Sequence, residues 1–449
     1  MSNINKNDLL ELEVIDYDME GFGICKVDNF VIFVPNVLKG EIINCLIVKV
    51  NKNFAFGKAI EIIKESPFRN KNLCKNYYLC GGCNLMHAKY QEQLNIKKHI
   101  CKNTIKKIAN IDFDNIGVVP SITEGYRNKV SVPFQKNDNK IIYGFYKNRT
   151  HEIIELEDCK VQNSINDQIL LMIKNLLKEF NIPIYDENTK NGLFRHSIVR
   201  NNHDDSSFMV VLISTKNHDS YSIIANRLIN RFKCIKSVVL NINDQPNNVI
   251  LGNTNITLRG DDYIIDKIGD FEFKIGATSF YQVNKYQIEN LYNTALDLAG
   301  LSKNDIVIDA YCGIGTISLF LSKQVRFVYG LEIVEEAVKN ANENKELNSV
   351  KNVQFLLGDV EKTINKILTK RSVDAIVLDP PRKGCGEKFL EILVNNKINK
   401  IVYISCGIKG LANDLKYLKQ YYDVVNYKCV DLFPHNEDIE TICTLTLKK

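Results

Sequence analysis

Two strand ends in this chain carry groups able to act together. IVIDAYCGIGT (306–316) reads as a buried strand, a glycine turn and a helix start, the arrangement that holds a nucleotide-like cofactor. IVYISC (401–406) reads as a second buried strand ending on Cys406. Doubly wound sheets gather their ligands at the carboxyl ends of the strands. A cofactor turn and a thiol on one rim predict a transferase that attacks its substrate covalently.

Acids close three successive strands: Asp309 in VIDAY, Glu332 in FVYGLE and Asp359 in LLGD. A carboxylate ending the second strand can accept hydrogen bonds from ribose hydroxyls. The dinucleotide pattern G-x-G-x-x-G is incomplete, because Ser318 follows Gly313 and Gly315. This favours S-adenosylmethionine over a nicotinamide cofactor, since it has no pyrophosphate to place on the helix N-terminus. The fourth strand ends on DPPR (379–382). Paired prolines stiffen a loop and leave carbonyls free to face a planar base. Amino-group methyltransferases place an aromatic residue after such prolines. Arg382 stands there and argues against an exocyclic amine as acceptor.

Uracil C5 is a poor nucleophile until a thiolate adds at C6. Cys406 has the position for that addition. The C5 proton must then leave, which needs a base. PHNEDIETI (434–442) supplies Glu440, with Glu437 and Asp438 as nearby alternatives. A further cluster, CKNYYLCGGC (74–83), places Cys74, Cys80 and Cys83 at C-x5-C-x2-C spacing. Closely spaced thiolates of this kind hold metal, either a structural zinc or a [4Fe–4S] cluster. The fourth ligand comes from elsewhere: His87 is near, and Cys159 in LEDCKVQ is the better candidate.

A chain of 449 residues exceeds one typical core, so two or three domains are expected. Residues 1–63 show short alternating runs punctuated by Gly, Asn and Asp, as in a small β-barrel of oligonucleotide-binding type. Residues 64–268 read as a central α+β domain holding the cysteine cluster. Its first part, 64–110, carries a net charge of +8, which suits a phosphate backbone. Residues 269–449 alternate strand and helix and finish in an antiparallel hairpin, the pattern of an α/β Rossmann-like domain. No stretch is long and apolar enough to span a membrane. The N-terminus shows no signal pattern, and thirteen cysteines in such a chain point to metal or chemistry rather than disulfides. A cytoplasmic enzyme, with no membrane partner, is the expectation.

With these residues in place, the chain resembles the RNA uracil-5-methyltransferase family, especially the ribosomal-RNA branch with a TRAM barrel and an iron–sulfur cluster. GFGICKVDNFVIFVPNVLKGE is similar to the TRAM barrel, and CKNYYLCGGCNLMHAKYQEQLNIK to the cluster segment. SFYQVN, DAYCGIGT, DPPRKG, ISC and the PH…E block follow in the family's order. The resemblance implies S-adenosylmethionine contacts at Gln282, Tyr311, Glu332 and Asp379. It implies Cys406 as nucleophile, Glu440 as base, and Cys74, Cys80, Cys83 and Cys159 as [4Fe–4S] ligands. It also implies a uridine in 23S rRNA as target and a monomer that acts on RNA, not DNA. The rival readings are a tRNA uracil-5-methyltransferase, whose branch usually lacks barrel and cluster; a cytosine-5 RNA methyltransferase; and a non-catalytic RNA-binding protein. Two departures stand out. SCGIKG (405–410) replaces the family's SCNP, and Asp438 replaces a histidine two residues before Glu440.

Overall fold

The computed structural model describes residues 4–113, 116–137, 140–148 and 150–449. Near the N-terminus six strands, from Leu9–Glu13 to Phe54–Lys64, form one sheet. Alternation turns Ile32, Val34, Ile43, Cys45, Ile47 and Ala55 inward as its core. Register breaks along the long pair Ile42–Val50 and Phe54–Lys64 bend the sheet. The Ile15 N–H donates to the Ile24 carbonyl at 2.8 Å, which draws the first strand toward Gly23–Val27 and curls the sheet over its core. Arg69 grips the buried Glu41 carboxylate through two nitrogens, at 2.7 and 2.6 Å, and ties the barrel to the cysteine segment.

A seven-stranded sheet follows. The hairpin Lys129–Asn137 and Lys140–Tyr146 lies toward one edge. Phe208–Ser214, almost wholly apolar, and Phe194–Asn201, which carries buried Arg195, His196 and Arg200, are both buried along their whole length.

The C-terminal sheet has eight strands. Val353–Leu357, Phe327–Glu332, Ile306–Ala310, Ala375–Leu378 and Lys400–Ser405 lie side by side in parallel. Glu440–Leu447 then runs antiparallel, followed by Tyr422–Val430. Strand order reverses at Ile306–Ala310, which leaves a crevice at its carboxyl end.

Two segments lie elsewhere than the domain limits read from sequence. The helix Tyr90–Ala109 and the strand Gly117–Val119, assigned to the central domain, belong to the C-terminal body. The strand extends the edge of its sheet beside Tyr422–Val430. The helix has two apolar ends. Ile96 and Ile100 pack with Tyr17, Leu38 and Leu85 on the barrel side, whereas Ile105 and Ala109 join the core beneath the C-terminal sheet. The limit at 268 falls inside the hairpin Tyr263–Ile268 and Phe271–Gly276. Its inward residues, Ile264, Ile268, Phe271, Phe273 and Ile275, share one core with Val211 and Val239 of the central sheet and Val307 and Val328 of the C-terminal sheet. Among the described residues no helix is long and apolar enough to cross a membrane.

Candidate active site

A cavity of about 600 Å³ opens at the carboxyl end of the parallel strands. Gln282, Tyr311, Glu332, Asp379, Cys406 and Glu440 all line it, so the six residues singled out for cofactor and catalysis meet in one place. The turn after Ile306–Ala310 makes this possible. Tyr311, Gly313 and Gly315 have φ of +67°, +54° and +84°. A Cβ on Gly315 would come within 2.5 Å of the Phe355 ring. A Cβ on Gly313 would meet nothing within 4 Å, so the backbone there borders open space, as a cofactor cradle requires. Glu332 fastens the turn from the next strand by accepting the Gly313 N–H at 3.1 Å. The other two strand-end acids work differently. Asp309 is buried against the Ser318 hydroxyl at 2.5 Å, and Asp359 caps the helix Val360–Leu368.

Strand register sets the thiol beside its acid. Ser405 pairs with Thr441 at the end of the antiparallel ladder, so Cys406, just past one strand, and Glu440, at the start of the other, emerge together on the cavity wall. Glu440 is 2% exposed, and its Oε2 has no hydrogen-bond partner. Glu437 and Asp438, the alternative bases, do not line the cavity. Glu437 accepts a hydrogen bond from Asn84, and Asp438 is held by Arg382 at 2.6 Å. The sequence reading missed the aromatic walls: Phe280, exposed at the mouth, and Phe433. Phe280 lies within the SFYQVN signature, yet nothing local marks its ring as outward-facing.

The cavity disfavours negative charge. Burial pushes the Cys406 thiol up to about 12, helped by Glu440 and Asp379 and opposed by the Arg382 guanidinium. Burial raises Asp379 to about 7. Burial, then Asp379 and Asp438, also raise Glu440. Attack needs the thiolate, which is the minority form at neutral pH. Alkylation of Cys406 by iodoacetamide, followed on its peptide by mass spectrometry, is therefore expected to climb about tenfold per pH unit between roughly pH 7 and 10. A plateau reached below about pH 9 would contradict a raised thiol.

Gly407 explains the departure in SCGIKG. A Cβ there would stand 2.3 Å from the Arg382 carbonyl oxygen, and one on Gly410 would stand 2.4 Å from the same atom. The two glycines let the DPPR loop settle directly on the start of the helix Ile408–Leu418. Gly407→Asn, which restores the family residue, is expected to destabilise the protein by about 1–3 kcal/mol through overpacking. Thermal unfolding reads this out, and an unchanged Tm would show that the loop yields without strain.

The four cysteines of the candidate metal set line a separate cavity of about 390 Å³. The Gly81 N–H donates to the Tyr146 carbonyl at 3.1 Å and pins the loop to the central sheet, whose following segment brings Cys159. His87 lies outside this cavity, buried against the Tyr77 hydroxyl at 2.7 Å. Among the described residues no three His, Cys, Asp or Glu side chains are grouped closely enough to hold a metal ion. Neither the [4Fe–4S] ligand set nor its zinc alternative is therefore preformed among the described residues. Arg127 and Lys129 also line the cavity, and the Arg127 Nε–H is buried without a partner.

A parallel sheet with a glycine-turn cavity at its switch point defines an S-adenosylmethionine-dependent methyltransferase. The chain belongs to the tRNA (uracil-5-)-methyltransferase family, matched over residues 89–449, and residues 8–60 match the TRAM domain. It is 40% identical over 446 residues to an RNA methyltransferase of Clostridium acetobutylicum whose function is uncharacterized, covering 98% of this chain and 97% of that one. Another such protein, from Staphylococcus aureus, is 38% identical over 453 residues, covering all of both chains. Among solved structures, the Pyrococcus abyssi tRNA (uracil-54, C5)-methyltransferase bound to S-adenosyl-L-homocysteine has a TM-score of 0.77 and 25% identity, covering 97% of this chain and 99% of that one.

Proposed function

We propose that this enzyme methylates C5 of a uridine in 23S rRNA. The observation that carries the reading is the register that sets Cys406 beside Glu440 in the cavity of the glycine turn. The Cys406 thiolate adds to C6, forming a C–S bond, and the C5–C6 π electrons move onto C5 and the C4 carbonyl. S-adenosylmethionine, which Gln282, Tyr311, Glu332 and Asp379 would hold, supplies a methyl group that C5 takes up as the methyl–sulfur bond breaks and S-adenosylhomocysteine is released. Glu440 takes the C5 proton, the C5–C6 double bond re-forms, and the Cys406 thiolate leaves. The target base is flipped out of its stack, since C6 is otherwise out of reach. The barrel and the basic segment after it support an RNA backbone, and Phe33, Phe54 and Phe56 offer edge-packed rings with centroids 5.6 to 5.8 Å apart. An enzyme of this kind works with its RNA in the cytoplasm, as a monomer.

Nucleoside mass spectrometry of 23S rRNA and tRNA, with and without the gene, tests the substrate. Loss of 5-methyluridine from rRNA supports the proposal. Loss from tRNA favours the second reading, a tRNA enzyme, which the whole-chain likeness to the Pyrococcus protein supports. That likeness covers the barrel and cysteine segment, so these elements do not separate the two substrates. Unchanged 5-methyluridine in both pools overturns both. The cytosine-5 alternative lacks the cysteine expected after the DPP prolines, where Arg382 stands. A binding-only protein would have no need of the intact thiol and acid.

Cys74, Cys80, Cys83 and Cys159 would hold a [4Fe–4S] cluster, with the Arg127 Nε–H as a donor toward its sulfur. The cluster's part is structural, ordering the loops around it. Anaerobically purified protein is expected to carry about four irons and four sulfides per chain. Cys83→Ser should lose most of the iron, and stoichiometric zinc in the unaltered protein would refute the cluster.

A further inference from the structure

The loop 431–438 leads directly to Glu440, and the cysteine segment holds it from outside the methyltransferase sheet. His435 sits in the left-handed region at φ +69°, uncommon for a residue with a side chain. Its carbonyl accepts from two successive amides, Asn84 at 2.9 Å and Leu85 at 3.0 Å, immediately after Cys83. Its own N–H donates to the Gln93 Oε1 at 2.9 Å, and its ring Nδ1 lies 3.1 Å from the Gln93 Nε2. Gln93 is fully buried on the helix Tyr90–Ala109 and also donates to the Ala88 carbonyl. The Asn84 amide donates to the Glu437 carboxylate. Further back, the Tyr126 hydroxyl donates to the Pro434 carbonyl, and Lys97 holds Asp431 and the Phe433 carbonyl. A strained residue bonded at its amide, carbonyl and ring is over-determined, the condition under which strain persists at functional sites.

We propose that Gln93 and Asn84 are positioning residues for the methylation step: the Gln93 side chain clamps His435 in its left-handed turn, the Asn84 side chain holds Glu437 two residues on, and together they set where Glu440 stands in the cavity. The cysteine segment thus orients the catalytic loop as well as facing the RNA. This rests on the reading of Glu440 as the base. Proton removal depends on the placement of that carboxylate, and misplacement by about 1 Å can cost about a hundredfold. Gln93 is buried and does not line the cofactor cavity, so RNA and cofactor affinities should hold when it is changed.

The test uses full-length, metal-loaded protein with Gln93→Met, which keeps volume and helix propensity but loses the bonds to His435. Asn84→Ala, the second variant, keeps the backbone bond to His435 and loses the side-chain bond to Glu437. Expected results are faster hydrogen exchange across 433–438 and a kcat about tenfold to a hundredfold lower. KM for RNA should stay within about twofold, and a covalent enzyme–RNA complex should accumulate on ordinary uridine RNA. Unchanged hydrogen exchange in both variants would remove the clamp, whatever the reaction is. Faster exchange with unchanged kcat, or a raised KM alone, would leave the contacts a structural or RNA-holding role and overturn the proposal. Unaltered enzyme that makes no 5-methyluridine on any RNA would instead sink the reading of the site, while the exchange data still judge the clamp.

Discussion

Cys406→Ala is expected to reduce 5-methyluridine formation by about 10⁴-fold or more, because nothing else in the cavity can add to C6. Cys312 also lines the cavity, but burial pushes its thiol well above the ordinary range, with Asp309 and Glu332 adding to the rise, and its Sγ contacts the Gly313 carbonyl at 3.9 Å. Binding of S-adenosylmethionine should be unchanged within about twofold, since the cofactor turn does not involve residue 406. RNA bearing 5-fluorouridine gives an independent measure. The unaltered enzyme should trap it as a covalent complex, because the fluorine cannot leave as a proton does, and the alanine variant should form none. Turnover within about tenfold of the unaltered enzyme would exclude covalent catalysis through this residue.

Glu440→Gln separates the later step from the earlier ones. The amide keeps the shape of the side chain and cannot take the C5 proton. Turnover is expected to fall by about 10²–10⁴-fold, the range for loss of a positioned base. Addition and methyl transfer should continue, so the methylated RNA should remain attached to Cys406 and appear as a covalent complex on a denaturing gel. The pH dependence has a definite sign. Both Cys406 and Glu440 are raised in the free protein, and both must be ionised to act, so kcat/KM should rise with pH above neutrality. Rapid turnover without accumulation in Glu440→Gln would transfer the role to another acid. Asp438, bonded to Arg382 at the rim, would be the first to test.

Much of the site was legible in the order of residues along the chain. The turn D-A-Y-C-G-I-G-T has strong local requirements. Gly315 faces the Phe355 ring at a positive φ, and only glycine fits both conditions. Strand ends could be recognised from apolar runs that stop at Asp, Glu or Cys, and the order of those strands implied a parallel sheet with one rim. Glu332, Asp379, Cys406 and Glu440, read this way, line one cavity with Gln282 and Tyr311, which the family resemblance implied. The cysteine spacing likewise singled out three thiols, Cys74, Cys80 and Cys83, that line a common cavity. These features rest on local backbone geometry and residue type, which a single segment carries by itself.

What depended on pairing between distant segments was not legible. Glu440 was the acid favoured from sequence, with Glu437 and Asp438 as alternatives, and the strand pairing that ends at Ser405–Thr441 is what brings it to the thiol's cavity. A shift of one residue would have turned Glu440 to the opposite face. The same holds for the helix Tyr90–Ala109, whose apolar residues satisfy a core without saying which core. Asp359 matched the strand-end pattern yet serves as a helix cap, because Lys362 offers it an amide three residues on. The clamp on His435 joins residues more than three hundred positions apart, so no local pattern announces it. Residue type and spacing determined the chemistry available to this chain. The tertiary structure decided which groups meet, because register and packing are properties of segments in contact and of neither segment alone.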